Sequence, residues 1–88
     1  MEVLENKMIN LLTSLRPKLK DEEYQEVSGL VVTHGEYGLA LENVCSILEE
    51  QSISISLDQR DEILELFKMM RFDDESLKYY RDHLKLGK

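Results

Sequence analysis

Apolar residues recur along almost the whole chain at the spacing of helix faces. Leu4, Met8, Leu11, Leu12 and Leu15 fall at i, i+4, i+7, i+8 and i+11, one face of an amphipathic helix. Pro17 ends that helix or starts a new turn, because its ring pushes the preceding residue away from α backbone. Tyr24, Val27, Leu30 and Val31 mark a second helix, with Asp21, Glu22 and Glu23 at the end where the helix dipole favours carboxylates. Gly29 weakens this helix by about 1 kcal/mol relative to Ala. Gly35 suits a left-handed stop after it.

A third helix is expected to begin near Glu36. Tyr37, Ala40, Leu41, Val44, Ile47 and Leu48 share one face, and Glu42, Ser46 and Glu49 share the opposite one. Ser52-Ile53-Ser54-Ile55-Ser56 then alternates with period two. Five residues without an obvious partner strand fit an extended connector better than a sheet, with the two isoleucines plugging the edge of the core. Ser56-Leu57-Asp58-Gln59 has the form of a capping box. It opens a fourth helix that turns Ile63, Leu66, Phe67 and Met70 inward. Asp73-Asp74-Glu75 interrupts the pattern and caps a short fifth helix carrying Leu77, Tyr80 and Leu84, after which Gly87-Lys88 should fray. The fold class is therefore all-α, a compact bundle of four to five short helices, with residues 1–88 as one domain. Its mostly local contacts should let it fold quickly.

Size sets limits on this bundle. Eighty-eight residues bury only roughly 60–65% of their unfolded surface, which implies modest stability and little room for a deep pocket beside a core. The apolar fraction of 42% suits a folded chain. The single Cys45 cannot form an internal disulfide, and no secretory apolar segment opens the sequence, so a cytoplasmic location is expected. No apolar run approaches the ~20 residues that span a membrane.

Charge changes the picture most. The net charge is −7, and it is segregated: nine carboxylates and no Lys or Arg lie between Asp21 and Gln59, while residues 60–88 balance seven acids with seven bases. Residues 1–20 carry two acids against four bases. Such a field attracts cations and basic proteins and repels phosphate backbones and anionic membranes, so neither nucleic acid nor membrane is expected as a partner. Ordinary soluble surfaces intersperse the two signs, which argues that this span is more than a solvated face.

Candidate chemistry is sparse. His34-Gly35-Glu36 has the H-x-E form of zinc deaminases, but that signature also requires P-C-x-x-C, and the chain has one proline and one cysteine, far apart. His34 is more simply a residue at a helix C-terminus facing the dipole. Two distant histidines and one cysteine do not make a zinc site, and no metal or other cofactor is expected. Cys45 reads as a small half-buried hydrophobe. Gly35-x-x-Gly38 has the outline of a nucleic-acid GXXG loop, but Glu36 stands where a phosphate would need a base. Asp73-Asp74-Glu75 lacks the ligand ladder of a calcium loop. No convergent acid, base and nucleophile is visible, so the chain is expected not to be an enzyme and to have no catalytic residue. Gly38, in the first turn of the third helix, needs a compensating reason. The plain one is a close crossing of the second and third helices; the sharper one is close approach of a partner's backbone. Tyr37 reads as a boundary aromatic before it reads as a binding anchor.

The run Gly35-Glu36-Tyr37-Gly38-Leu39-Ala40-Leu41-Glu42-Asn43-Val44-Cys45 resembles the core motif of the MafI-type immunity proteins. The layout around it is similar: a helix ending near Gly35, the motif helix, then Ile53-Ser54-Ile55-Ser56 leading into another helix. The likeness covers about residues 20–70. It is specific in its eleven-residue core and generic in its flanks.

What the resemblance implies is an antidote, made beside a secreted or contact-delivered polymorphic toxin and neutralising it in the cytoplasm. The toxins of such systems are often nucleases, including EndoU-like RNases. The implied partner is the C-terminal domain of the cognate toxin, a basic nuclease bound one to one. The charge pattern supplies the candidate contacts: Glu36, Tyr37, Glu42 and Glu49, with Glu22, Glu23 and Glu26 beside them, Tyr37 as a buried anchor and the carboxylates as a rim that sets association rate.

Two other readings compete. The colicin-nuclease immunity proteins are also small, acidic and helical, but their tyrosine pair precedes a proline on a short third helix. Here Tyr79-Tyr80 is followed by Arg81 in the last helix, so that motif does not carry over. A helical adaptor that binds a basic host protein without opposing a toxin is the second. A toxin reading frame directly upstream would favour the antidote, and an isolated gene the adaptor.

Overall fold

The computed structural model describes residues 2–87. The order of elements is α1 (Glu2–Leu15), a 3-10 turn (Arg16–Lys18), α2 (Asp21–Val32), α3 (Tyr37–Glu50), α4 (Leu57–Met69) and α5 (Asp74–His83). All five expected helices are present, so the fold class is all-α. α2 packs against α3 and α1, α1 also against α4, and α4 against α5. Their inner faces meet in one cluster: Met8, Leu11, Leu12 and Leu15 from α1, Val27 and Val31 from α2, Ala40, Leu41, Val44 and Leu48 from α3, and Ile63, Leu66 and Phe67 from α4. Burying a side chain of this kind contributes roughly 1.5–3 kcal/mol, and this shared face is what holds short helices that would be marginal alone.

Local chemistry ends each helix where the chain turns. Pro17 sits in the 3-10 turn that closes α1. At the start of α2, Glu23 Oε1 accepts from the Lys20 amide at 2.9 Å, one half of a capping box; a lysine ammonium cannot supply the other half. The Ser56 box is complete: Ser56 Oγ accepts from the Gln59 amide at 3.0 Å, and Gln59 Oε1 accepts from the Ser56 amide at 2.9 Å. Asp73 caps α5 by accepting from the Ser76 amide at 2.8 Å. Gly35, at φ +64°, closes α2 as expected.

The stops of α3 and α4 carry no glycine. Ser52 (φ 52°) and Arg71 (φ 66°) take the left-handed position. Each is followed by a Schellman pair of hydrogen bonds: Ser52 N to Glu49 O at 3.1 Å with Ile53 N to Leu48 O at 2.9 Å, and Arg71 N to Lys68 O with Phe72 N to Phe67 O, both at 3.0 Å. The hydrophobic contact that accompanies the motif is clear in the second case, where the Phe67 and Phe72 rings lie 4.6 Å apart.

The connector is extended and not part of a sheet among the described residues, as expected, and three other expectations are corrected. The connector does find a partner: Ile55 forms a parallel bridge with Leu86, donating to the Lys85 carbonyl and accepting from the Gly87 amide, both at 2.9 Å. The tail is therefore pinned through Gly87 rather than frayed, with Leu84 and Ile55 both buried beside it; Lys88 lies outside the described residues. Cys45 is fully rather than half buried, because its position on α3 turns it into the shared core. A Cβ at Gly38 would meet the Phe72 ring at 3.7 Å and Met70 Sδ at 4.0 Å, so the close neighbour is the turn between α4 and α5 and not α2.

Candidate functional site

The acidic span runs along α2, the following loop and α3. Among the described residues, none of its nine carboxylates is in a salt bridge; the ion pairs are Lys7–Glu65 at 3.7 Å, Arg60–Asp61 at 3.5 Å and Lys78–Asp82 at 2.9 Å. Three of the bases that flank it in sequence, Arg16, Lys18 and Arg60, are engaged with groups other than its carboxylates. The Arg16 guanidinium lies over the Tyr24 ring at 4.3 Å, and Lys18 Nζ donates to the Ser54 carbonyl at 2.6 Å.

The seven candidate contacts divide between two seams. On α2, Glu22 and Glu26 are exposed, four residues apart on one side of the helix. Glu23 is half-buried and fully used: besides the Lys20 amide, its Oε2 accepts from Gln51 Nε2 at 2.6 Å, tying the start of α2 to the end of α3. Those donors, the Lys20 amide first and Gln51 second, hold its carboxyl below the usual range. Glu36 is exposed at the start of α3, and Tyr37 is half-buried against the core.

Glu42 and Glu49 lie on the other side of α3, over α5 rather than in open solvent. Glu49 Oε1 accepts from the Tyr79 hydroxyl at 2.9 Å. That bond raises the Tyr79 phenol above its ordinary value. The neighbouring Tyr80 hydroxyl is pushed up to about 12, by burial first and then by Cys45, Glu42 and Glu49.

α5 brings into this seam residues that sequence reasoning did not select. Tyr79 is stacked on His83, ring centroids 4.0 Å apart, and meets Tyr80 edge-on at 5.3 Å. Tyr80 in turn stacks flat on Phe67 at 4.4 Å, which anchors the group to the core. His83 Nδ1 lies 2.8 Å from the Tyr79 carbonyl oxygen, which can only accept, so the proton is on Nδ1. The i, i+4 spacing of Tyr79 and His83 was the available signal for this pair. Their meeting with Glu49, thirty residues away, depends on how α5 is rotated against α3.

Elsewhere the surface offers shallow grooves. One of about 180 Å³ between α1 and α2 is lined by Ile9, Leu12, Tyr24, Ser28 and Val32. Another of about 480 Å³ between α4 and α5 mixes Asp61, Glu65 and Asp74 with Lys68 and Arg81. Among the described residues no three His, Cys, Asp or Glu side chains are grouped to hold a metal, and no helix is long and apolar enough to cross a membrane. No family model, characterised protein or solved structure matches the chain.

Proposed function

We propose that the chain is an immunity protein that binds and neutralises a cognate secreted or contact-delivered toxin, a basic nuclease, in the cytoplasm of the producing cell. It acts by stoichiometric binding and not by turnover. The observation that carries this reading is the unpaired acidic span: nine carboxylates without a salt bridge among the described residues, on a small apolar-cored bundle. The resemblance of Gly35–Cys45 to the MafI-type motif adds the biological setting.

The physical logic is direct. A nuclease must attract a polyanion, so the cleft that binds its substrate is positively charged. An acidic protein is drawn to the same cleft and reaches it faster than a neutral one, by as much as two to three orders of magnitude at low salt. Fast capture is what an antidote needs when toxin arrives from a sibling cell.

The test is a calorimetric titration against the C-terminal domain of the protein encoded immediately upstream. One-to-one binding with a Kd of ~1 nM or tighter is expected, as in other tight inhibitory complexes. No binding to a well-folded upstream domain would overturn the cognate pair and favour a host adaptor.

A further inference from the structure

We infer that the partner docks on the α3–α5 seam, with Tyr79 as its central anchor and Glu49 and Glu42 as its charged contacts, and that the partner presents an arginine there. This rests on the reading of the chain as a binder of a basic protein, and it moves the contact from α2 to α5.

Order is the first argument. Glu22, Glu26 and Glu36 are long exposed side chains, and fixing each on binding costs rotamer entropy. The Tyr79 ring is already fixed by His83, Tyr80 and the Glu49 carboxylate, yet 45% of the residue remains exposed. A pre-placed, half-exposed tyrosine on a rigid support is the kind of side chain that dominates binding energy.

Charge is the second. Glu49 Oε1 takes the Tyr79 hydroxyl, while Oε2 accepts from no side chain among the described residues. Donating its proton toward a carboxylate makes the phenol ring richer in electrons and its face more attractive to a cation. A guanidinium can lie flat on such a ring and direct its planar N–H groups at the free carboxylate oxygen, which an ammonium cannot do together. The chain already uses the first half of this geometry internally, with Arg16 at 4.3 Å over Tyr24. Lys78, the base nearest in sequence to Tyr79, is paired with Asp82 at 2.9 Å.

The test has two arms. In the first, the isotope-labelled protein is titrated with a hexa-arginine peptide and followed by amide chemical shifts. The expected shifts centre on Glu42, Glu49, Tyr79 and His83, and they shrink in Glu49→Gln, which keeps an acceptor for the Tyr79 hydroxyl and removes the charge. Shifts centred on Asp21–Glu26, or unchanged in Glu49→Gln, would overturn the proposal. In the second arm, the upstream-encoded toxin domain is the probe. Tyr79→Ala is expected to weaken binding roughly 30-fold or more, and Tyr79→Phe to recover most of the loss if the ring is the anchor. Tight binding that Tyr79→Ala leaves unchanged refutes the anchor and leaves the immunity reading standing. A hexa-arginine footprint on the seam with no binding of the toxin domain refutes the immunity reading and leaves the seam.

Discussion

Ile55 and Gly87 are hydrogen-bonded across the bundle, the Gly87 amide donating to the Ile55 carbonyl at 2.9 Å. This bond, with that from Ile55 to Lys85, ties residues 85–87 to the connector beside Ile55 and Leu84, which are 1% and 5% exposed. The tail is thus held at the edge of the core. Deleting residues 85–88 removes two backbone bonds, each worth about 1 kcal/mol, and Leu84→Ala should cost about 2–4 kcal/mol. Urea unfolding measures both. Hydrogen exchange gives an independent check: the Gly87 amide should be protected, and full exposure of it would refute the clasp.

The non-glycine left-handed positions predict stabilising substitutions. Ser52 and Arg71 hold positive φ with a Cβ in place, at a cost of roughly 1–2 kcal/mol each. Ser52→Gly and Arg71→Gly should each raise stability by up to about 1 kcal/mol after the entropy of the unfolded glycine is subtracted. Gly35→Ala should do the reverse and destabilise by about 1 kcal/mol, since φ +64° is imposed there by the turn. Gly38→Ala meets only ordinary contacts with Phe72 and Met70, so it should be neutral or stabilising by up to ~1 kcal/mol. Thermal melts of the four variants decide the signs.

Stability should fall on both sides of neutrality through named groups. The carboxyls of Glu23 and Asp73 are held below their ordinary values, chiefly by backbone amides. Their contribution is therefore complete above the ordinary carboxylate range and is lost as pH falls through the lower folded values. Glu23→Gln with Asp73→Asn, which keeps a good capping residue, should flatten the acid limb of a plot of urea midpoint against pH. On the alkaline side the Tyr80 hydroxyl is raised to about 12 by burial, so its contribution is complete below the ordinary phenol range and is lost as pH climbs through that value. Ultraviolet titration should show a phenol near 12 that disappears in Tyr80→Phe, while the raised Tyr79 phenol remains.

Where the sequence and the structure agree, the information was local. The Leu4–Leu15 face, the Ser56–Gln59 box and the Asp73 cap are each set by residues within a few positions of one another, and all three form as their spacing predicts. The misses are of two physical kinds. Ser52 and Arg71 stop helices without glycine because the Schellman bonds and the packing of Phe72 on Phe67 outweigh the strain. The Ile55–Leu86 bridge and the Tyr79–Glu49 bond join distant segments. The first uses backbone groups that every residue carries, and the second depends on the rotation of one helix about another. Neither leaves a pattern in the chain. The charge segregation was legible, but its division between the α2 side and the α3–α5 seam was not.

Cys45 offers a way to watch that seam open. Its thiol is fully buried, and burial first, then the Glu49 and Glu42 carboxylates, push its ionisation well above the ordinary range. Since the thiolate is the reactive form, the native protein should be inert to a disulfide reagent at neutral pH. Labelling should proceed at the rate set by opening of α5 away from α3 or by global unfolding. Those routes differ in denaturant dependence: local opening exposes little surface and has a weak dependence, global unfolding a strong one. Tyr80→Ala should speed labelling much more than it lowers the urea midpoint if the local route operates, because it removes the stack on Phe67 that anchors α5 to the core. A partner bound on the Tyr79 side should slow the same reaction, whereas one confined to Glu22 and Glu26 should leave the local route unchanged. Rapid labelling of the native chain at neutral pH would refute the burial on which this argument depends.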